Sequence, residues 1–110
     1  MEIEDTGLRD AYTLERLTPL IGEMFNVNLG EYGLFPLKLV EVTQTGGEKP
    51  KSIAMSASPV ILSVIWEGPK TPILNHLTFN VEHPSLGKHA VFLGPIKAID
   101  EGILYQAVFN

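Results

Sequence analysis

The chain predicts a mainly β fold: about six strands, mostly antiparallel, in a small barrel or a strongly curved sheet behind a short N-terminal helical segment. Three observations point there. From residue 24 onward apolar residues recur with period two, as in Phe25, Val27 and Leu29, or Leu77, Phe79 and Val81. The apolar runs are divided by Gly- and Pro-containing turns, and most links are short, which favours antiparallel neighbours. Six strands around one small core favour closure, because closure removes exposed edges. A two-layer α+β arrangement is the alternative.

Composition bounds the rest. The 110 residues suffice for one domain, and a chain of this size buries roughly 65% of its unfolded surface. With 45% hydrophobic and 19% charged residues it is too apolar to be disordered. There is no cysteine, hence no disulfide, thiolate nucleophile or Cys-ligated zinc. A net charge of −5 without a Lys/Arg cluster repels phosphate backbones, so nucleic acid is not an expected partner. The longest apolar run, "VILSVIW", is far short of a membrane span, and "EIEDTG" puts acids where a signal peptide needs basic residues. The expectation is a cytoplasmic protein with no membrane partner. Export that needs no N-terminal signal would leave no mark.

Residues 1 to 12 are polar and aperiodic and are expected to be mobile, leaving residues 13 to 110 as a single β-rich domain. In "TLERLTPLIGEMF", Thr13 caps a short helix with Leu14 and Leu17 on one face. Thr18 is a second cap, Pro19 the first residue of a second turn, and Gly22 lies just past its end. Such a piece plugs the open end of a sheet or barrel. Phe25, Val27 and Leu29 then alternate with Asn26 and Asn28 as a half-buried strand, and "GEYG" turns the chain.

"FPLKLVEVT" has Leu37 and Leu39 on one parity and Val40 and Val42 on the other; a β-bulge near Leu39 and Val40 would turn all four inward. Residues 44 to 59 are the densest in Gly, Pro, Ser and Lys and read as a mobile excursion with a short edge strand at residues 53 to 55. "VILSVIWEGP" is apolar on both faces, the mark of a central strand, with the helical piece as the cover of its second face. Leu77, Phe79 and Val81 form the next strand, residues 90 to 96 another, and residues 103 to 109 the last, after a break at "DEG".

Between the fourth and fifth strands lies "VEHPSLGKHAVF", with two of the three histidines. His83 precedes a proline and is therefore extended, Pro84 has φ preset for a turn, and Gly87 supplies positive φ. A four-residue loop of Pro84, Ser85, Leu86 and Gly87 places His83 opposite Lys88, Glu82 opposite His89, Val81 opposite Ala90 and Phe79 opposite Phe92. In that register His83 and His89 take opposite faces and cannot share a metal. His76 shares a face with His89 but lies about 20 Å along the strand. His89 is expected to pair with Glu82 across the strands.

Other chemistry is thin. Ser52, Ser56, Ser58, Ser63 and Ser85 lack a nucleophile elbow, and "TGGEKPKS" lacks the strand-to-helix context of a phosphate loop. Asp100 and Glu101 before a glycine read as a solvated turn. Trp66 shares its parity with Leu62 and Val64 and reads as core, together with Phe25, Phe79 and Phe92, which leaves little cavity for a ligand inside the barrel. Tyr32 has a better claim to be an exposed contact. No catalytic, cofactor-binding or metal-ligating set emerges, and the chain is not expected to be an enzyme.

Six blocks in order, "TLERLTPLIGEMF", "PLKLVEV", "WEGP", "EHPSLG", "FLGPI" and "YQAVF", resemble a small bacterial domain family of unknown function. Its members carry a front helical segment, L-x-L-x-x-V, an F-x-G-P strand end, H-P-x-L-G, F-L-x-P and a closing Y-x-A-x-F-N. The match covers residues 13 to 110, with Trp66 at the aromatic place of the strand end. The resemblance implies a mainly β domain without assigned catalytic residues, and an accessory role in a phage-tail-like or surface assembly. The expected function is thus a non-enzymatic structural or protein-interaction module, with a small-ligand-binding barrel as the alternative. Protein partners are expected. A homo-oligomer could form through the apolar terminal strand "ILYQAVFN" if it lies at a sheet edge.

Overall fold

In the computed structural model, which describes residues 7 to 46 and 60 to 110, two short helices precede six strands. The helices are α1 (Gly7–Ala11) and α2 (Leu14–Leu17), followed by a 3-10 turn at Thr18–Leu20. The strands are β1 (Met24–Asn28), β2 (Leu34–Thr45), β3 (Ile61–Gly68), β4 (Leu77–His83), β5 (Gly87–Ile99) and β6 (Gly102–Phe109). All pairings are antiparallel, and the ladder closes in the order β1-β2-β3-β6-β5-β4.

The period-two pattern becomes the inner wall. Phe25 and Val27 of β1, Phe35, Leu37 and Leu39 of β2, and Leu62, Val64 and Trp66 of β3 are buried. Val81, Val91, Leu93, Ile103, Tyr105 and Ala107 complete it from the other strands. Burying one indole removes on the order of 200 Å² from water, at most roughly 5 kcal/mol of transfer free energy, so Trp66 is a large single contribution. The bulge in β2 is present: the register with β3 shifts between Leu39 and Glu41. Half-buried Val42 packs against the core after the bulge, and Val40, the extra residue, is half-buried as well.

The helical piece closes the barrel end. Thr13 caps α2 by accepting the Arg16 N–H (3.1 Å), and Leu17 is fully buried. Thr18 does not cap the start of the second turn but ends α2: its hydroxyl donates back to the Leu14 carbonyl (2.6 Å), while Pro19 sits in the 3-10 turn and Gly22 takes φ 97°. Part of the stretch expected to be mobile, residues 7 to 12, contains α1, and Ala11 and Tyr12 join the core. The Tyr12 ring packs against Trp66, His89 and Phe109, with centroids 6.4, 5.9 and 5.3 Å apart. The sequence around Gly7 gave no sign of this, because the helix is one short turn whose burial depends on where the barrel opens.

Two further expectations change. The outer face of β3 is not covered by the helices; Ser63 and Ile65 are half-buried there, between β2 and β6. The terminal strand β6 is not at an edge but lies between β3 and β5. The strand expected at residues 53 to 55 falls outside the described residues.

Candidate functional site

The hairpin of "VEHPSLGKHAVF" differs from expectation by one residue. Leu86 N–H bonds to the His83 carbonyl (3.2 Å), closing a tight turn over Pro84 and Ser85, and Gly87, with φ 85°, already stands opposite His83. Leu86 is buried, which holds the shorter connection in place. A one-residue slip reverses every facing. Glu82 therefore lies opposite Lys88, Val81 opposite His89, Phe79 opposite Val91 and Thr78 opposite Phe92. Val91 takes the inner position assigned to Phe92, which is 61% exposed. The signal was present in the alternation of Val91 and Leu93, but the cross-strand pairing of two phenylalanines outweighed it.

His83 and His89 accordingly share the inner face, and each holds its own partners. His83 is buried at the seam where β1 meets β4 along only residues 26 to 28 and 80 to 82. Its Nδ1 accepts the Ser85 N–H (3.0 Å), so the proton of the neutral ring is on Nε2, which donates to Glu23 Oε1 (2.9 Å). The ring packs against Phe25 of β1 at a tilt of 40°, with centroids 4.5 Å apart. One imidazole thus shapes the turn and clasps the seam. Arg16 of α2 reaches the Ser85 carbonyl (3.4 Å), and Asn28 Nδ2 donates to Glu82 Oε2 (3.0 Å) across the same seam. Glu82 does not pair with His89, whose Nε2 donates to the Leu86 carbonyl (2.6 Å) beneath Tyr12. His76 lies outside, its ring packed over the bare backbone of Gly94.

Among the described residues no three His, Asp or Glu side chains lie close enough to hold a metal ion. Asp100 and Glu101 are exposed in the β5–β6 turn, Ser63 accepts from Gln106 Nε2 (2.9 Å), and Tyr32 is 82% exposed. Ser52, Ser56 and Ser58, and most of "TGGEKPKS", fall outside the described residues. Two surface hollows adjoin these groups. One of about 510 Å³ lies between α1 and the ends of β2, β3 and β6, lined by Leu8, Tyr12, Val60, Leu62 and Phe109 among others. One of about 280 Å³ lies beside the clasp, lined by Asn26, Glu82, His83, Pro84, Gly87 and Lys88.

Residues 12–109 match a domain family described as a domain of unknown function, DUF6916. The chain belongs to this family. No curated protein and no solved structure matches it.

Four of the six sequence blocks have structural duties within this DUF6916 domain. In "WEGP", Gly68 is buried against Phe35, Leu37 and Tyr105, whose side chains would crowd a Cβ at 3.0 to 3.2 Å. In "EHPSLG" stand the clasp, the turn proline, the buried Leu86 and the positive-φ Gly87. In "FLGPI", Leu93 faces the core and Gly94 admits His76. In "YQAVF", Tyr105 and Ala107 face inward, and the Tyr105 hydroxyl accepts the Leu74 N–H (2.9 Å), tying down the β3–β4 connection.

Proposed function

We propose that this DUF6916 domain is a non-enzymatic structural or protein-interaction module, accessory to a phage-tail-like or surface assembly. One observation carries the reading. The inward-facing histidines His83 and His89 are engaged in holding the barrel, while large apolar side chains stand outside it, Tyr32 and Leu34 at the β1–β2 turn among them. The accessory role in an assembly rests on the resemblance of the motif blocks. A cytoplasmic site of action belongs to the same reading.

A ligand inside the barrel is less favoured. Eleven side chains, Trp66, Tyr105 and Phe25 among them, fill the interior with under 2% exposure, and none lines the hollows described above. The test is capture of tagged chain from its native host, in parallel with Tyr32→Ser/Leu34→Ser. The expected result is a recurrent protein partner that the double variant loses. Repeated capture without a partner would overturn the proposal.

A further inference from the structure

β2 outruns its neighbour on one side. Its ladder with β1 ends at Met24 opposite Lys38. One more pair of bonds, Leu39 N–H to the Glu23 carbonyl (3.0 Å) and Gly22 N–H to the Leu39 carbonyl (2.7 Å), ties it to the residues before β1. The strand bends at its bulge and continues to Thr45, paired with β3 alone. Along residues 40 to 45, the side of β2 away from β3 makes no backbone hydrogen bond among the described residues. Backbone groups of an antiparallel strand point alternately to its two sides, so this edge presents donors and acceptors that are unpaired among the described residues.

Its sequence, V-E-V-T-Q-T, contains neither proline nor lysine, the residues that commonly block edge pairing, and is rich in β-branched residues. It is also compatible with itself. With a two-fold axis through Thr43, Thr43 faces Thr43 of a second copy, Val42 faces Gln44, and Glu41 faces Thr45. All five residues 41 to 45 pair, and the one charge among them never meets its counterpart. An axis through Glu41 would set two carboxylates opposite each other.

We propose that this edge is a strand-addition site whose occupant is the same edge of a second copy of the chain, antiparallel and centred on Thr43. Such an isologous contact requires a self-complementary strand, which a site for foreign peptides does not. Five paired residues make a small interface, so the dimer dissociates on dilution. The inference does not depend on a foreign partner and goes beyond the function proposed above.

Light scattering of the purified chain over a concentration series tests it. The expected mass rises from one chain to two, and amide exchange at residues 41 to 45 slows with concentration. Thr43 is exposed in the single chain, so Thr43→Lys and Thr43→Glu should each keep the far-ultraviolet dichroism of the parent while weakening the dimer about tenfold. An equal mixture of the two variants should recover it. A chain that stays monomeric at millimolar concentration overturns the proposal. So does a dimer insensitive to both substitutions, or a mixture that pairs no better than either variant alone.

Discussion

His83 Nε2 lies 2.9 Å from Glu23 Oε1, and this bond bridges the shortest ladder in the barrel, between β1 and β4. The same ring accepts the Ser85 N–H and packs against Phe25. A motif histidine therefore acts as a fastener between two strands far apart in sequence.

Glu23→Ala removes the acceptor of a buried N–H, but Glu23 is half exposed and water can replace it, so a cost of about 1 kcal/mol is expected. His83→Phe preserves the ring contact with Phe25 but also deprives the Ser85 N–H of its acceptor, at about 2 kcal/mol. The double variant should cost less than the sum, since both changes break one shared bond. Urea denaturation followed by Trp66, the single and fully buried tryptophan, measures all three. Strict additivity would show that the bond contributes nothing.

Gly102 and Gly94 separate two kinds of close approach. A Cβ on Gly102 would overlap the Gly68 carbonyl, which belongs to the β3–β6 ladder and cannot step aside. Gly102→Ala should cost roughly 3 kcal/mol. A Cβ on Gly94 would overlap the His76 ring, an exposed side chain free to rotate away, so Gly94→Ala should cost under about 1 kcal/mol. Equal costs in thermal unfolding would contradict this account.

The hairpin register is open to a direct check at two adjacent residues. Val91→Ala truncates a fully buried side chain and should cost about 1 to 2 kcal/mol, while Phe92→Ala should stay within about 0.5 kcal/mol. The reverse order would restore the pairing of Phe79 with Phe92 that the sequence suggested.

Tyr105→Phe removes one oxygen and leaves the Leu74 N–H without its acceptor in a buried place. The expected loss is about 1 to 2 kcal/mol, with faster amide exchange at Leu74. Unchanged exchange at Leu74 would show that the β3–β4 connection is held by other means. Trp66 offers a contrast within the same core, because its indole N–H is buried without an acceptor among the described residues.

The strands, the bulge near Val40, the Thr13 cap and the β5–β6 turn at Asp100 and Glu101 were all determined by the sequence alone. Each follows from a local rule: side-chain period, a small capping hydroxyl, or a turn before glycine. Membership of a domain family of unknown function was expected from the sequence as well, and the family match covers residues 12–109. What only the tertiary structure decided were features that depend on pieces distant in the chain. Whether the hairpin loop had three residues or four turned on the burial of Leu86. The fate of Ala11 and Tyr12 depended on the barrel leaving an opening beside β5 and β6. Closure places β6 between β3 and β5, while β1 is too short to follow β2 along its whole length, so among the described residues the unpaired edge belongs to β2 and not to β6. And the two histidines of "VEHPSLGKHAVF" came to one face, since a single residue of register reverses a strand.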